Sequence, residues 1–217
     1  MPRRELAAQI ENLIELGYPA LVGMEPAEFK AALEPLSRLL PTSTTTDDGD
    51  DRPTGSSGHL DVVLVLDSPK VPPDKLVASI TRRGLPAVER LYPRQPLDFT
   101  PLATVKLPGG DAYLLLDVDR GAATLNVTPD DALESITADG RSPLTMAEGL
   151  AVLIHYPEFL QPNNCFSLLA SRAGDKRVPA LWLSERRPKL GWCWAGNPHT
   201  WLGSASCGDR VGAGVEL

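Results

Sequence analysis

The chain has 217 residues, 42% hydrophobic and 23% charged. These are the proportions of an ordinary globular protein of one large domain, or of one domain with an appended piece, and they argue against wholesale disorder or a fibrous repeat. A formal charge of −7 disfavours broad binding to nucleic acid or an acidic membrane. No apolar run approaches the ~18 residues of a membrane span, and no secretory signal is visible behind Arg3 and Arg4, so the expected compartment is the cytoplasm.

Residues 1–40 read as a helical hairpin. Leu6, Ile10, Leu13 and Ile14 recur at helical spacing, and Gly17 with Pro19 stops the first helix. Phe29, Leu33, Leu36 and Leu40 form a second apolar stripe, with Pro35 inside it as a kink or a break. Residues 41–58, PTSTTTDDGDDRPTGSSG, hold no large apolar residue and are expected to be an acidic flexible linker. A domain from 59 to 210 follows, and 211–217 reads as a tail.

Within that domain Leu60 to Leu66 (LDVVLVL) is β-branched and nearly continuous, like a strand buried on both faces. A helix is expected from Pro72 to Thr81. Leu102–Leu107 and Ala112–Val118 flank Pro108-Gly109-Gly110-Asp111 and read as a hairpin. Thr128 starts a helix that Gly140 stops, and Thr145 with Glu148 forms a capping box before Leu150–Ile154. Residues 165–171, 178–184, 190–195 and 200–206 read as a four-stranded antiparallel meander. Strands and helices without strict βαβ alternation make the fold class α+β, ending in a Trp-rich meander.

That last segment carries the residues richest in chemistry. All four tryptophans lie there, and residues 160–217 carry a charge of +3 against −10 for the rest. A hairpin centred on Asn197-Pro198 would set Trp194 opposite Trp201 and Trp192 opposite Gly203, with the three indoles on one face. Basic residues cluster on two turns, 172–177 and 185–189, at opposite ends of the sheet. A cluster beside the indoles would hold an anion while an aromatic stacks on the rest of a ligand. The site so expected comprises Trp192, Trp194, Trp201, Asn197, Arg172, Lys176 and Arg177, with His199 as a proton-exchanging group. The bland alternative is that the indoles fill the core and the basic turns are solvated.

Other chemistries fit less well. Cys193, His199 and Asn197 supply the types for thiol catalysis, but Cys193 would point away from the indole face. Cys165, Cys193, Cys207 and His199 lack the close pairing of a zinc site; with no secretory signal the three cysteines read as reduced thiols. Asp117 and Asp119 share a strand face but fail the calcium-loop pattern. No nucleotide-binding glycine motif, zinc-protease motif or nucleophile elbow occurs. No metal or cofactor is implied.

The stretches LNVTPDDAL (125–133), SPLTMAEGLAV (142–152), RVPALWLS (177–184) and KLGWCWAGNPHTWLGSASC (189–207) resemble a domain-of-unknown-function family of high-GC Gram-positive bacteria. The resemblance covers roughly residues 60–210. It implies a bacterial, intracellular protein and brings no activity, cofactor or catalytic residue. Two functions stand as expectations. One is a site, binding or catalytic, for a small anionic, partly planar molecule. The other is a non-catalytic interaction protein whose helical hairpin docks a partner or a second copy through Phe29, Leu33, Leu36 and Leu40.

Overall fold

The computed structural model describes residues 2–40 and 55–217. Three helices come first: α1 (Pro2–Glu15), α2 (Tyr18–Val22) and α3 (Pro26–Ser37). Helix α3 runs on through Pro35, two residues before its end. Its stripe is not free for a partner. Phe29, Leu33 and Leu36 have no exposed surface and Leu40 only 3%, because α3 packs on two strands of the main sheet. This corrects the expectation that these four side chains form a docking face. The helices and the sheets share one hydrophobic cluster, so the segment between them does not separate two cores. Residues 41–54 of the expected linker lie outside the described residues. Its last four are docked, and Gly58 accepts the backbone N–H of Arg120 (2.9 Å).

The first sheet contains β1 (His59–Leu66), β3 (Ala112–Asp119), β4 (Ser142–Pro143) and β9 (Ser206–Val215), in the order β1-β3-β9-β4 and antiparallel throughout. The second contains β2 (Val88–Glu89), β5 (Cys165–Ser167), β6 (Arg177–Ser184), β7 (Arg187–Trp194) and β8 (Leu202–Ser204), in the order β8-β5-β6-β7-β2. Helices α4 (Pro73–Ser79), α5 (Pro129–Ala138) and α6 (Met146–His155) complete the α+β architecture. No helix among the described residues is long and apolar enough to cross a membrane.

Three expectations change, each for a non-local reason. The hairpin around Pro108–Asp111 does not form, because both edges of β3 are taken by β1 and β9. Residues 102–107 stay irregular. The expected tail is strand: Val211 pairs with Leu114 and Val215 with Ala112. The meander has three strands, not four. β5, β6 and β7 pair in sequence, but the chain after Trp194 crosses to the far edge, where β8 runs parallel to β5. There Gly203 and Gly121 touch backbone to backbone. A Cβ on Gly203 would lie 2.1 Å from the Gly121 carbonyl oxygen, so only glycine fits this crossing.

Helix α6 sits at the centre, against β1 and β6. Its capping box closes as the sequence implies: Thr145 N–H donates to Glu148 Oε2 (2.7 Å) and Glu148 N–H to Thr145 Oγ1 (3.2 Å). Glu148 is fully buried. Arg210 of β9 grips it with Nε to Oε1 (2.6 Å) and Nη2 to Oε2 (2.8 Å). Tyr113 of β3 donates its hydroxyl to Oε1 (2.9 Å), and Arg210 also donates to the Pro143 carbonyl of β4 (2.7 Å). Burial alone would lower the guanidinium's pKa, but the Glu148 hydrogen bonds and charge reverse this and hold Arg210 above its usual value. Removing one partner of a buried pair strands the other charge. Arg210→Met should therefore lower stability by about 3–5 kcal/mol in urea unfolding; a loss under ~1 kcal/mol would show that the pair is not structurally required.

The outer edge of β1 is closed by side chains. Gln9 of α1 donates Nε2 to the Val62 carbonyl (2.9 Å) and accepts the Leu64 N–H at Oε1 (2.6 Å). His155 bonds the Leu64 carbonyl through Nε2 (3.1 Å), and Asn12 donates Nδ2 to its Nδ1 (3.3 Å). These partners select the neutral, Nε2-protonated ring. Enclosure pushes the His155 pKa down to about 4, with the Leu64 hydrogen bond opposing. A base with a lowered folded pKa contributes fully above the unfolded value near 6.5 and loses that contribution as pH falls toward 4. Between pH 7.5 and 4 the wild type should lose on the order of 3 kcal/mol more stability than His155→Gln, which keeps the donor but cannot titrate. Parallel pH profiles of the two proteins in denaturant unfolding would refute this.

Candidate functional site

The β6–β7 hairpin has an arginine and tryptophans at each end, and the two ends differ. At the first end Arg177 pairs across the strands with Trp194. Its guanidinium lies 4.5 Å from the Trp192 ring centre and 4.9 Å from that of Trp194, the two indoles meeting edge-on at 5.0 Å. Asp175 accepts from Arg177 Nη1 (2.5 Å) and from Arg94 Nη2 (2.7 Å). The Arg94 hydrogen bond and the Arg177 backbone N–H hold the Asp175 carboxyl down to about 2. Trp192 Nε1 donates to the Leu91 and Tyr92 carbonyls (both 3.2 Å). Arg177 thus already lies over both indoles and is neutralised. This end is a cation–π assembly on which Trp194 stays exposed.

The other expected residues do not converge on that end. Arg172 is half-buried and donates to the carbonyls of Leu169 and Ser171. Burial lowers its pKa, against the charge of Asp130. Lys176 and Asn197 are exposed. Trp201 does not face Trp194, because its neighbours in β8 pair with β5. It stacks instead, tilted by 42° at 5.3 Å, on His199.

Trp201 belongs to the second end. A cleft of about 680 Å³ opens there, lined by Trp182, Trp201, Arg82, Arg83, Arg186, Gln161, Pro162, Asn163, Cys165, Leu183 and Ser184. The volume is that of a small-molecule site, typically ~300–1,000 Å³. The Trp201 carbonyl accepts the Cys165 N–H (3.0 Å), and β5 lies between β8 and β6, which carries Trp182. Two strand spacings, roughly 10 Å, therefore separate the backbones bearing the two indoles. Trp182 is seated by a gap in β7: a Cβ on Gly191 would come within 2.2 Å of its Cη2. The glycine that meets an indole is thus Gly191, against Trp182, and not Gly203, which meets the Gly121 backbone.

The cations of the cleft are held differently from one another. The Arg82 side chain is 4% exposed and pairs with Glu158 through Nη2 (2.7 Å), while its buried Nε finds no partner among the described residues. Arg83 is exposed and shares Glu158 through Nε (2.9 Å) and Nη2 (3.1 Å). The Arg83 and Arg82 contacts lower the Glu158 pKa against partial burial. Arg186 sits at the tip of the β6–β7 turn with φ 63°, next to Glu185 with φ 56°. Arg83 (φ 51°) and Gly84 (φ 77°) make the same two-residue left-handed turn between Arg82 and Leu85, which pair across it. Such turns favour Asn and Gly, and an arginine there costs backbone strain. Asn163 (φ 60°) is a third left-handed residue of the rim. The basic turn at 185–189 was legible in the sequence; the contribution of Arg82 and Arg83, from a hairpin about a hundred residues earlier, had no signal that tied it to the tryptophans.

All three cysteines are buried and free, and burial pushes the Cys193 and Cys207 thiols up to about 12. Among the described residues no group of His, Cys, Asp or Glu is placed to hold a metal ion. Asp117 is bound by Arg141 (2.5 Å), and Asp119 accepts the Gly121 N–H (2.7 Å).

Fold and site together define an α+β protein with two larger sheets around a central helix and an open cleft of arginines and tryptophans. The chain belongs to a family of unknown function, DUF5701, whose sequence model matches residues 12–213. The match takes in most of the N-terminal helices as well as the C-terminal motifs. No curated protein and no solved structure matches the chain.

The fit of Trp182 over Gly191 is testable by overpacking. Gly191→Ala should destabilise the protein by about 1–3 kcal/mol and change tryptophan emission, both read in one fluorescence-monitored denaturant titration. An unchanged midpoint and spectrum would show that the indole has room to move.

Proposed function

We propose that the protein binds a small, anionic, partly planar molecule in the cleft between Trp182 and Trp201. The observation that carries this reading is the pairing of two indoles with three guanidiniums in one opening, one of them, Arg82, almost wholly buried with an unpartnered Nε. Burying a guanidinium costs stability, and an anion beside it in the cleft would offset part of that cost. The indoles supply flat apolar faces, and the guanidiniums supply forked donors for a carboxylate or phosphate. His199, stacked on Trp201, orients that indole. The indoles and guanidiniums are binding groups, and the reading commits to no reaction.

This reading keeps the ligand class that the sequence suggested and moves the site. Trp201 remains in it, with His199 behind; Trp192, Trp194 and Arg177 do not. A panel of aromatic anions (nucleoside 5′-monophosphates, anthranilate, orotate), uncharged aromatics and non-aromatic anions should be screened by thermal shift and tryptophan quenching. Members both aromatic and anionic should raise the melting temperature. Trp201→Ala should weaken the best of them at least tenfold, with Trp194→Ala within twofold of wild type. A panel without any binder, or loss on Trp194→Ala but not on Trp201→Ala, would overturn the reading.

A further inference from the structure

The charges of the cleft narrow the ligand class further. Resting on the reading above, we infer that the ligand is a phosphate monoester of an aromatic compound, of nucleoside 5′-monophosphate size. Three guanidiniums line the cleft, those of Arg82, Arg83 and Arg186. A single carboxylate, Glu158, serves the first two. Glu185, beside Arg186, is 85% exposed and is matched by Lys189 at 3.6 Å. Two positive charges are therefore left over. A phosphate monoester brings close to two negative charges at neutral pH and three acceptor oxygens. A carboxylate would offer the same guanidiniums one charge and two acceptor oxygens.

The turns point the same way. Positive φ is found at six non-glycine residues among those described, and three of them, Arg83, Asn163 and Arg186, line this cleft. At Arg83 and Arg186 a residue with a Cβ and a long cationic side chain occupies a position that glycine or asparagine fills without strain. Strain retained at a cleft is a mark of function. It delivers two guanidiniums on short, rigid hairpins instead of on a loop. The Asn163 amide makes no hydrogen bond among the described residues and is a ready partner for ribose hydroxyls or a base edge.

The test is isothermal titration of the full chain with AMP, GMP, CMP and UMP, each against its nucleoside, its 3′,5′-cyclic monoanion and inorganic phosphate. At least one 5′-monophosphate should bind tenfold or more tightly than all three comparators. The double variant Glu185→Asn/Arg186→Gly relieves the turn, so it should melt at a higher temperature than wild type while losing at least tenfold in nucleotide affinity. Equal binding of nucleoside and monophosphate, or of inorganic phosphate and nucleotide, would overturn the inference. So would a double variant that keeps its affinity. Binding of anthranilate or orotate with no nucleotide bound would overturn it and leave the cleft reading standing; absence of any binder would remove both.

Discussion

One buried carboxylate organises the molecule. Glu148 belongs to the capping box of α6, yet its side chain also accepts from Arg210 of β9 and Tyr113 of β3. A helix start, two strands of the main sheet and, through Arg210, the edge strand β4 are thus fixed by a single desolvated group. A buried pair of this kind contributes little net stability compared with apolar packing, but it punishes every arrangement in which its members are apart. The orientation of α6 against the first sheet is therefore set, and α6 in turn carries the second sheet. Gly149, the next residue, lies so close to Leu168 that a Cβ would come within 2.3 Å of its Cδ2. The segment leading out of β5 is held there, and with it the strand that stands between the two cleft indoles.

Much of this was legible wherever the deciding interactions are local. The Thr145–Glu148 box, the Thr128 start of α5 and the apolar run of β1 depend on neighbours a few residues away, and each formed as the sequence implies. The N-terminal stripes were legible as apolar faces. What they are buried against was not, since helical spacing records that a face is apolar and not which partner covers it.

The errors share one cause. Pro108–Asp111 and Asn197-Pro198 both carry turn residues between strand-like runs, which is the local signature of a hairpin. Neither closed one, because strand partners are decided by which edges remain open. β3 has no free edge for residues 102–107. The chain after Trp194 is drawn across the sheet to the Gly121–Gly203 contact and onto β5. That crossing carried Trp201 away from Trp194 and toward Trp182, and so relocated the candidate site. At the other end of the hairpin the indoles are not core: Trp192 is half-buried and Trp194 exposed, with Arg177 stacked on both.

The Gln9 side chain has a consequence beyond holding α1 in place. β1 is an edge strand with the sequence HLDVVLVL, and an uncovered edge of that composition is a template for pairing with other chains. The Gln9 amide offers that edge one donor and one acceptor, as a neighbouring strand would, but it cannot be extended. The first helix thus works as a built-in terminator of sheet growth, and a chain shortened by proteolysis to lack it would expose a strand edge of aggregation-prone composition.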